Sequence, residues 1–144
     1  MKVRFKKLSE NAIAPIKAYN GDACFDLYAT WVAVNVAKEY IKYGTGIAIE
    51  IPEGHVGLVF PRSSIVNTPF VLKNSVGVID SGYRGEITVV FTNVNTVDPL
   101  KGYREGERIA QILILPIPEV ELEEVDELSP SERGTNGYGS SGLK

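Results

Sequence analysis

The chain predicts an all-β fold, a sandwich, barrel or jelly roll of short strands. Three observations predict it. Apolar and β-branched residues come in short stretches; Gly, Pro and Asn punctuate them at close intervals; and no stretch carries a long amphipathic helical period. No internal repeat of about 20–50 residues accompanies the pattern, so a solenoid or propeller is not expected.

The elements follow in chain order. Residues 3–8 alternate apolar and charged side chains. Gly46-Ile47-Ala48-Ile49-Glu50-Ile51 alternates and is ended by Pro52-Glu53-Gly54. Residues 56–60 form a short apolar run. Glu86-Ile87-Thr88-Val89-Val90-Phe91 is rich in β-branched residues, and residues 108–115 are a nearly continuous apolar run stopped by Pro116 and Pro118. Lengths and boundaries of this kind predict strands. Residues 119–127 carry six carboxylates and read as a solvated face. From residue 129 the chain turns to Ser, Pro and Gly, a composition that cannot pack a core. The expected organisation is one β domain over residues 1–128 and a flexible Gly/Ser-rich C-terminal arm over residues 129–144.

Composition excludes several chemistries. The chain has 144 residues, enough for one domain with a sizeable core. It holds one cysteine, Cys24, and one histidine, His55. An intrachain disulfide is therefore impossible, and a zinc site of Cys and His ligands, including that of the zinc base deaminases, is not expected. A Ser-His-Asp triad would have to use His55, which sits at a turn before a strand. The net charge of −3 shows no basic face for nucleic acid. No apolar run reaches the about 18–20 residues that span a bilayer, and the N-terminus lacks a signal-peptide block. A soluble, cytoplasmic protein is expected, with no nucleic acid and no membrane as partners. The tail also holds Gly137-Tyr138-Gly139-Ser140-Ser141-Gly142, a match to the dinucleotide fingerprint, but neither the preceding strand nor the following helix is there to give it that meaning.

Five segments carry candidate chemistry, each with an ordinary alternative. Pro61-Arg62-Ser63-Ser64 offers a guanidinium fork and hydroxyls to phosphate oxygens, though Arg-Ser-Ser is common on surfaces. Residues 74–86 combine Asn74, Gly77, Gly82 and Gly85 with Asp80 and Tyr83. A hairpin there would present its backbone to a planar ligand edge, and Asp80 beside Ile79 could be a partly buried general base; a plain Asp-Gly turn is the alternative. Gln111 is a polar group inside an apolar run and needs a partner, by default a structural one. Asp22 and Asp26 could cap a turn or help hold a metal. Arg133 and Tyr138 stand among glycines in a tail that could order on a ligand or remain a simple terminus.

Singly these are weak, but their order is not. Asp22-Ala23-Cys24-Phe25-Asp26-Leu27, Pro61-Arg62-Ser63-Ser64, the stretch from Asn74 to Glu86, Glu105-Gly106-Glu107-Arg108-Ile109-Ala110-Gln111, and Arg133 through Gly142 resemble the five motifs of the homotrimeric dUTPase family, in order. The sequence departs from the family pattern at Cys24 and Asn136, where the family usually has Gly, and at Tyr138, where it commonly has Phe.

The resemblance implies a dUTPase-like β-barrel or jelly roll that hydrolyses dUTP to dUMP and pyrophosphate with Mg²⁺. It implies Asp80 as the base that activates water for attack on the α-phosphorus. Arg62, Ser63, Ser64 and Gln111 would hold the phosphates, Arg133 with Ser140 and Ser141 the γ-phosphate, and Gly139 would also contact the substrate. Asn74 and the backbone of Gly77, Val78 and Ile79 would pair with the uracil edge. Tyr83 would lie under the deoxyribose, and Tyr138 would stack on the base. Asp26 would support the metal through water. Each site would lie between subunits of a trimer. The competing readings are a zinc-independent dCTP deaminase of the same superfamily, a dUTP-binding regulatory protein with residues 93–104 as a partner loop, and a plain jelly-roll binding domain.

Overall fold

The structure is a computed structural model and describes residues 1–93 and 102–137. The described residues form ten strands: β1 (Arg4–Lys7), β2 (Phe25–Tyr28), β3 (Trp31–Asn35), β4 (Tyr40–Gly44), β5 (Ile47–Glu50), β6 (His55–Pro61), β7 (Phe70–Leu72), β8 (Gly77–Ile79), β9 (Thr88–Asn93) and β10 (Arg108–Pro116). One short 3₁₀ helix, Ser63–Asn67, follows β6. No described helix is long and apolar enough to cross a membrane.

Every strand pair is antiparallel. One four-stranded sheet runs β2-β10-β6-β8, a second runs β3-β4-β9-β7, and β1 pairs with β5 in a two-stranded ribbon. The three share one hydrophobic core. Leu27, Val59 and Ile112 come from the first sheet, Ile41, Tyr43, Leu72, Val89 and Phe91 from the second, and Ile47 and Ile49 from β5. Tyr43, Phe70, Phe91 and Tyr103 form an aromatic cluster with ring centroids 5.4–5.9 Å apart.

The five sequence-predicted strands are β1, β5, β6, β9 and β10. The remaining five are short and had carried no clear period. The alternation predicted for β5 does not become alternating burial: Ile47, Ala48 and Ile49 are all buried, because both faces of this strand are covered. The run expected from Glu86 begins its ladder only at Thr88. The Ile87 amide is taken by the Ile47 carbonyl (2.8 Å), and the Ile87 carbonyl accepts from Thr45 Oγ1 (2.7 Å).

Candidate active site

Strand order brings the first cluster together. β10 lies between β2 and β6, so Gln111 stands opposite Asp26 on one side and Phe60 on the other. Arg62 leaves the end of β6 in extended conformation and starts the 3₁₀ helix that carries Ser63 and Ser64. Asp26, on β2, is buried and accepts from two guanidiniums: Arg62 Nε at 2.7 Å on Oδ1, and Arg108 Nη1 at 3.1 Å on Oδ2. Arg62 Nη1 also donates to Ser64 Oγ at 3.3 Å. Gln111 Nε2 donates to the Pro61 carbonyl at 2.9 Å, the structural partner its apolar setting requires, and this fixes it beside Arg62. Asp26 thus holds the Arg62 fork in one orientation, and Ser63 stays exposed at the helix start. Arg108 was not among the candidate residues. Its sequence signals are its place in the segment Glu105 to Gln111 and a cation opening a buried strand.

The second cluster is on β8 and the turn after it. The hairpin expected over residues 74–86 does not form. β8 pairs with β6 in the first sheet and β9 with β4 and β7 in the second, so the segment crosses between sheets. Asn74 and Ser75 make the tight turn before β8, with Ser75 at φ 60°. Gly77 is buried against Val59: a Cβ there would stand 3.1 Å from Val59 Cβ and 3.5 Å from Asn74 Nδ2, so backbone and amide lie side by side. Val78 is exposed and Ile79 half-buried. Asp80 is exposed in the single chain, not partly buried as its apolar neighbour had led us to expect, because β8 ends at Ile79 and the side chain leaves the sheet edge. The turn closes with the Tyr83 amide donating to the Asp80 carbonyl at 3.1 Å. Arg84 Nη1 braces it by donating to the carbonyls of Ser81 (2.6 Å) and Tyr83 (2.9 Å). A cavity of about 140 Å³ is lined by Val78, Ile79, Asp80, Tyr83, Glu86, Ile87 and Thr88. A larger one, about 370 Å³, touches the turn only through Ser81, Gly82 and Arg84, and two of its three cations, Arg4 and Arg84, pair with Glu50.

Of the arm, Arg133 is described. It is exposed, and its Nε donates to the Asn136 carbonyl at 2.9 Å. Tyr138, Gly139, Ser140 and Ser141 lie outside the described residues.

The two clusters do not meet within one chain. Val59 stands opposite Gly77 and Gly57 opposite Ile79, which puts Asp80 level with Val56. From there to Arg62 is six residues, along β6 and one step past its end, about 20 Å at 3.3 Å per residue.

Two chemical points follow. Burial first, with Asp26 and Asp22 adding to it and Lys17 opposing, pushes the Cys24 thiol above its ordinary 9.0 and keeps it a thiol near neutral pH. Among the described residues no group of three or more His, Cys, Asp or Glu side chains could cage a metal. A divalent cation such as Mg²⁺, which keeps several waters, needs only one or two protein carboxylates, and Asp26 is the carboxylate nearest the Arg62 cluster.

An arginine–aspartate cluster at one strand end and a carboxylate–tyrosine turn at another, on an all-β frame, offer cationic donors suited to phosphate oxygens and a free carboxylate. The dUTPase family model matches residues 10–142. Similar proteins include the deoxyuridine 5′-triphosphate nucleotidohydrolases of Corynebacterium diphtheriae, 42% identical over 98% of this chain and 93% of that protein, and of Clostridium acetobutylicum, 41% identical over 99% and 97%. Among solved structures, a Staphylococcus bacteriophage 80alpha dUTPase mutant with dUpNHpp superposes with a TM-score of 0.84, at 33% identity over 99% of both chains. The chain belongs to the dUTPase family.

Proposed function

We propose that the protein hydrolyses dUTP to dUMP and pyrophosphate, with Asp80 as the general base. The observation that carries the reading is the Asp80–Tyr83 turn over its own cavity, in a chain whose relatives at about 40% identity are named dUTP nucleotidohydrolases. The exposed Asp80 carboxylate takes the proton of a water that attacks the α-phosphorus in line. A positioned base contributes about 10²–10⁴-fold, so alignment and charge supply the rest. Arg62, locked by Asp26, presents the outer face of its fork to phosphate oxygens, with Ser63, Ser64 and Gln111 beside it. Arg133, Gly139, Ser140 and Ser141 serve the γ-phosphate end, and Tyr138 covers the base. Mg²⁺, when bound with the triphosphate, neutralises its charge; Asp26 is the carboxylate that would face its water shell. A solved phage phi11 dUTPase mutant, 29% identical, is described with a structural Mg(II) ion.

Specificity has a physical form at the second cluster. A 2′-hydroxyl pressed on the Tyr83 ring would be buried without a partner, at about 1–3 kcal/mol. Asn74 and the backbone of Gly77, Val78 and Ile79 take the uracil edge, where cytosine's amino donor would meet donors. We further propose a homotrimer in which one chain gives Asp80 and its neighbour gives Arg62; the about 20 Å between them along β6 supports this. The arm of residues 129–144 then reaches a neighbour's site from beyond the β domain of residues 1–128.

Pyrophosphate release from dUTP, with UTP, dCTP and dTTP alongside and an Asp80→Asn variant, tests the reading. Turnover of dUTP alone, lost in the variant, is expected. Ammonia from dCTP would move the protein to the deaminase branch. A dUTP-binding regulatory role is the second reading. It is favoured by likeness to the phage 80alpha dUTPase, described as controlling transfer of virulence genes. Of the partner loop expected at 93–104, residues 94–101 lie outside the described residues. Binding of dUTP without turnover would support that role.

A further inference from the structure

Beside the Asp80–Tyr83 turn lies an arrangement that no step above uses. Glu86 Oε1 accepts two hydrogen bonds, from the Trp31 indole Nε1 at 3.0 Å and from the Gly46 amide at 2.7 Å. The Glu86 backbone carbonyl in turn accepts from the Tyr83 hydroxyl at 2.9 Å. The ring rests on Gly85, where any Cβ would overlap the hydroxyl. The next residue, Ile87, is buried and tied through its backbone to Ile47 and Thr45. The chain is also shaped to admit the carboxylate. A Cβ on Gly44 would overlap the Trp31 indole and stand 2.6 Å from Glu86 Oε1. Gly46 sits at φ +63°, a left-handed conformation that aims its amide at Glu86 and that side chains rarely adopt.

We propose that Glu86, held by Trp31 and Gly46, is a positioning residue that sets the Tyr83 ring, and through it the rejection of a ribose 2′-hydroxyl. The proposal rests on Tyr83 being the sugar-facing side chain. Its physical basis is the double acceptance by one half-buried oxygen. A carboxylate taking two N–H donors is fixed in both directions, and its own backbone carbonyl is the atom that parks the tyrosine. Without the anchor, the carbonyl shifts and the ring tilts off the position that makes a 2′-hydroxyl clash. Displacements of this size at a positioning group change rates by up to about 100-fold.

Trp31 is the only tryptophan in the chain, so the anchor carries its own reporter. Three variants decide the matter: Glu86→Gln, which keeps an oxygen able to accept both bonds; Glu86→Leu, which removes it; and Trp31→Phe, which removes a single donor. Each is checked for cooperative melting, then assayed for kcat and KM with dUTP and UTP, with tryptophan emission recorded for the chains that retain Trp31. Glu86→Gln should stay close to wild type in emission and preference. Glu86→Leu should shift the emission maximum, and both it and Trp31→Phe should lose about tenfold or more of the dUTP-over-UTP preference, chiefly through a lower KM for UTP. A folded Glu86→Leu or Trp31→Phe protein with wild-type preference and KM overturns the proposal. So does Glu86→Gln as damaged as Glu86→Leu, since charge rather than acceptor geometry would then be at work. If Glu86→Leu does not fold, Trp31→Phe decides alone. A wild-type chain that hydrolyses no dUTP sinks the hydrolase reading instead, and dUTP and UTP binding constants for the same variants still decide the positioning role.

Discussion

Asp26 lies nearly out of solvent between two guanidiniums, with side-chain exposure of 10% against 24% for Arg62 and 41% for Arg108. Replacing it by Asn leaves one acceptor oxygen for two cations, so Arg62 loses its fixed aim. Asp26→Asn should cost about 1–3 kcal/mol in denaturant unfolding, less than a fully buried pair because Arg108 keeps much of its water. The same change should cut kcat/KM for dUTP by about tenfold or more. Tyr103 presents the opposite case. Its hydroxyl is buried and makes no hydrogen bond of good geometry among the described residues; the neighbouring Thr68 hydroxyl, which donates to the Ile65 carbonyl and accepts from the Phe70 amide, offers it at most a weak contact. Tyr103→Phe should therefore be neutral or stabilising, by up to about 1 kcal/mol in a melt. Burial, ahead of all other causes, pushes the Tyr43 and Tyr103 hydroxyls above their ordinary 10.0. The folded state then holds these protons more tightly than the unfolded chain does. Their contribution is complete below about pH 10 and is lost as pH rises through the raised folded values. A melt series from pH 8 upward should show wild type losing stability above about pH 10, and Tyr103→Phe losing less of it.

At the level of the elements, the corner between β4 and β5 is the tightest spot near the site. Gly44 faces Trp31, Thr45 is fully buried with its hydroxyl on Ile87, and Gly46 donates to Glu86. Gly44→Ala should destabilise the fold by about 1–3 kcal/mol, as overpacking does, and shift Trp31 emission at the same time. Nothing in the sequence marked this corner, and the reason is instructive. Strands that bury one face or both over a sustained run were legible: β5, β6, β9 and β10 all read as strands from apolar content and bounding Gly or Pro. β3 was not, since Val32 and Val34 point outward and its period leads nowhere in a single chain. β7 and β8 are three residues each, too short to show a period. The candidate site was legible in a different way. Arg62, Asp80 and Gln111 could be named from motif order, but not their local settings. The exposure of Asp80 follows from where β8 stops, and the Arg108–Asp26 pair from a register between strands eighty-two residues apart. Neither is written in local sequence.

For the whole molecule, the spacing of the clusters makes a demand that a single chain cannot meet. In the proposed reaction a base at the Asp80 turn and a phosphate fork at Arg62 act on one triphosphate, yet about 20 Å along β6 separates them. Closed symmetry resolves this if one chain's Asp80 faces its neighbour's Arg62, because every subunit then gives one half of a site and receives the other. That arrangement is testable without any structure of the assembly. Asp80→Asn and Arg62→Ala chains should each be inactive alone. Co-refolded in equal amounts, they should exchange into mixed forms of the proposed trimer, in which about a quarter of the interfaces join an intact Asp80 to an intact Arg62. Recovery of about that fraction of wild-type dUTP turnover is expected, with light scattering giving three chains per particle. If each site were built within one chain, every site in the mixture would keep its defect and no activity would return. The ratio of the two proteins provides a further check. Activity should peak at equal amounts and fall symmetrically on either side, since the number of intact interfaces follows the product of the two fractions. A response linear in one component would mean that the other contributes nothing to the site.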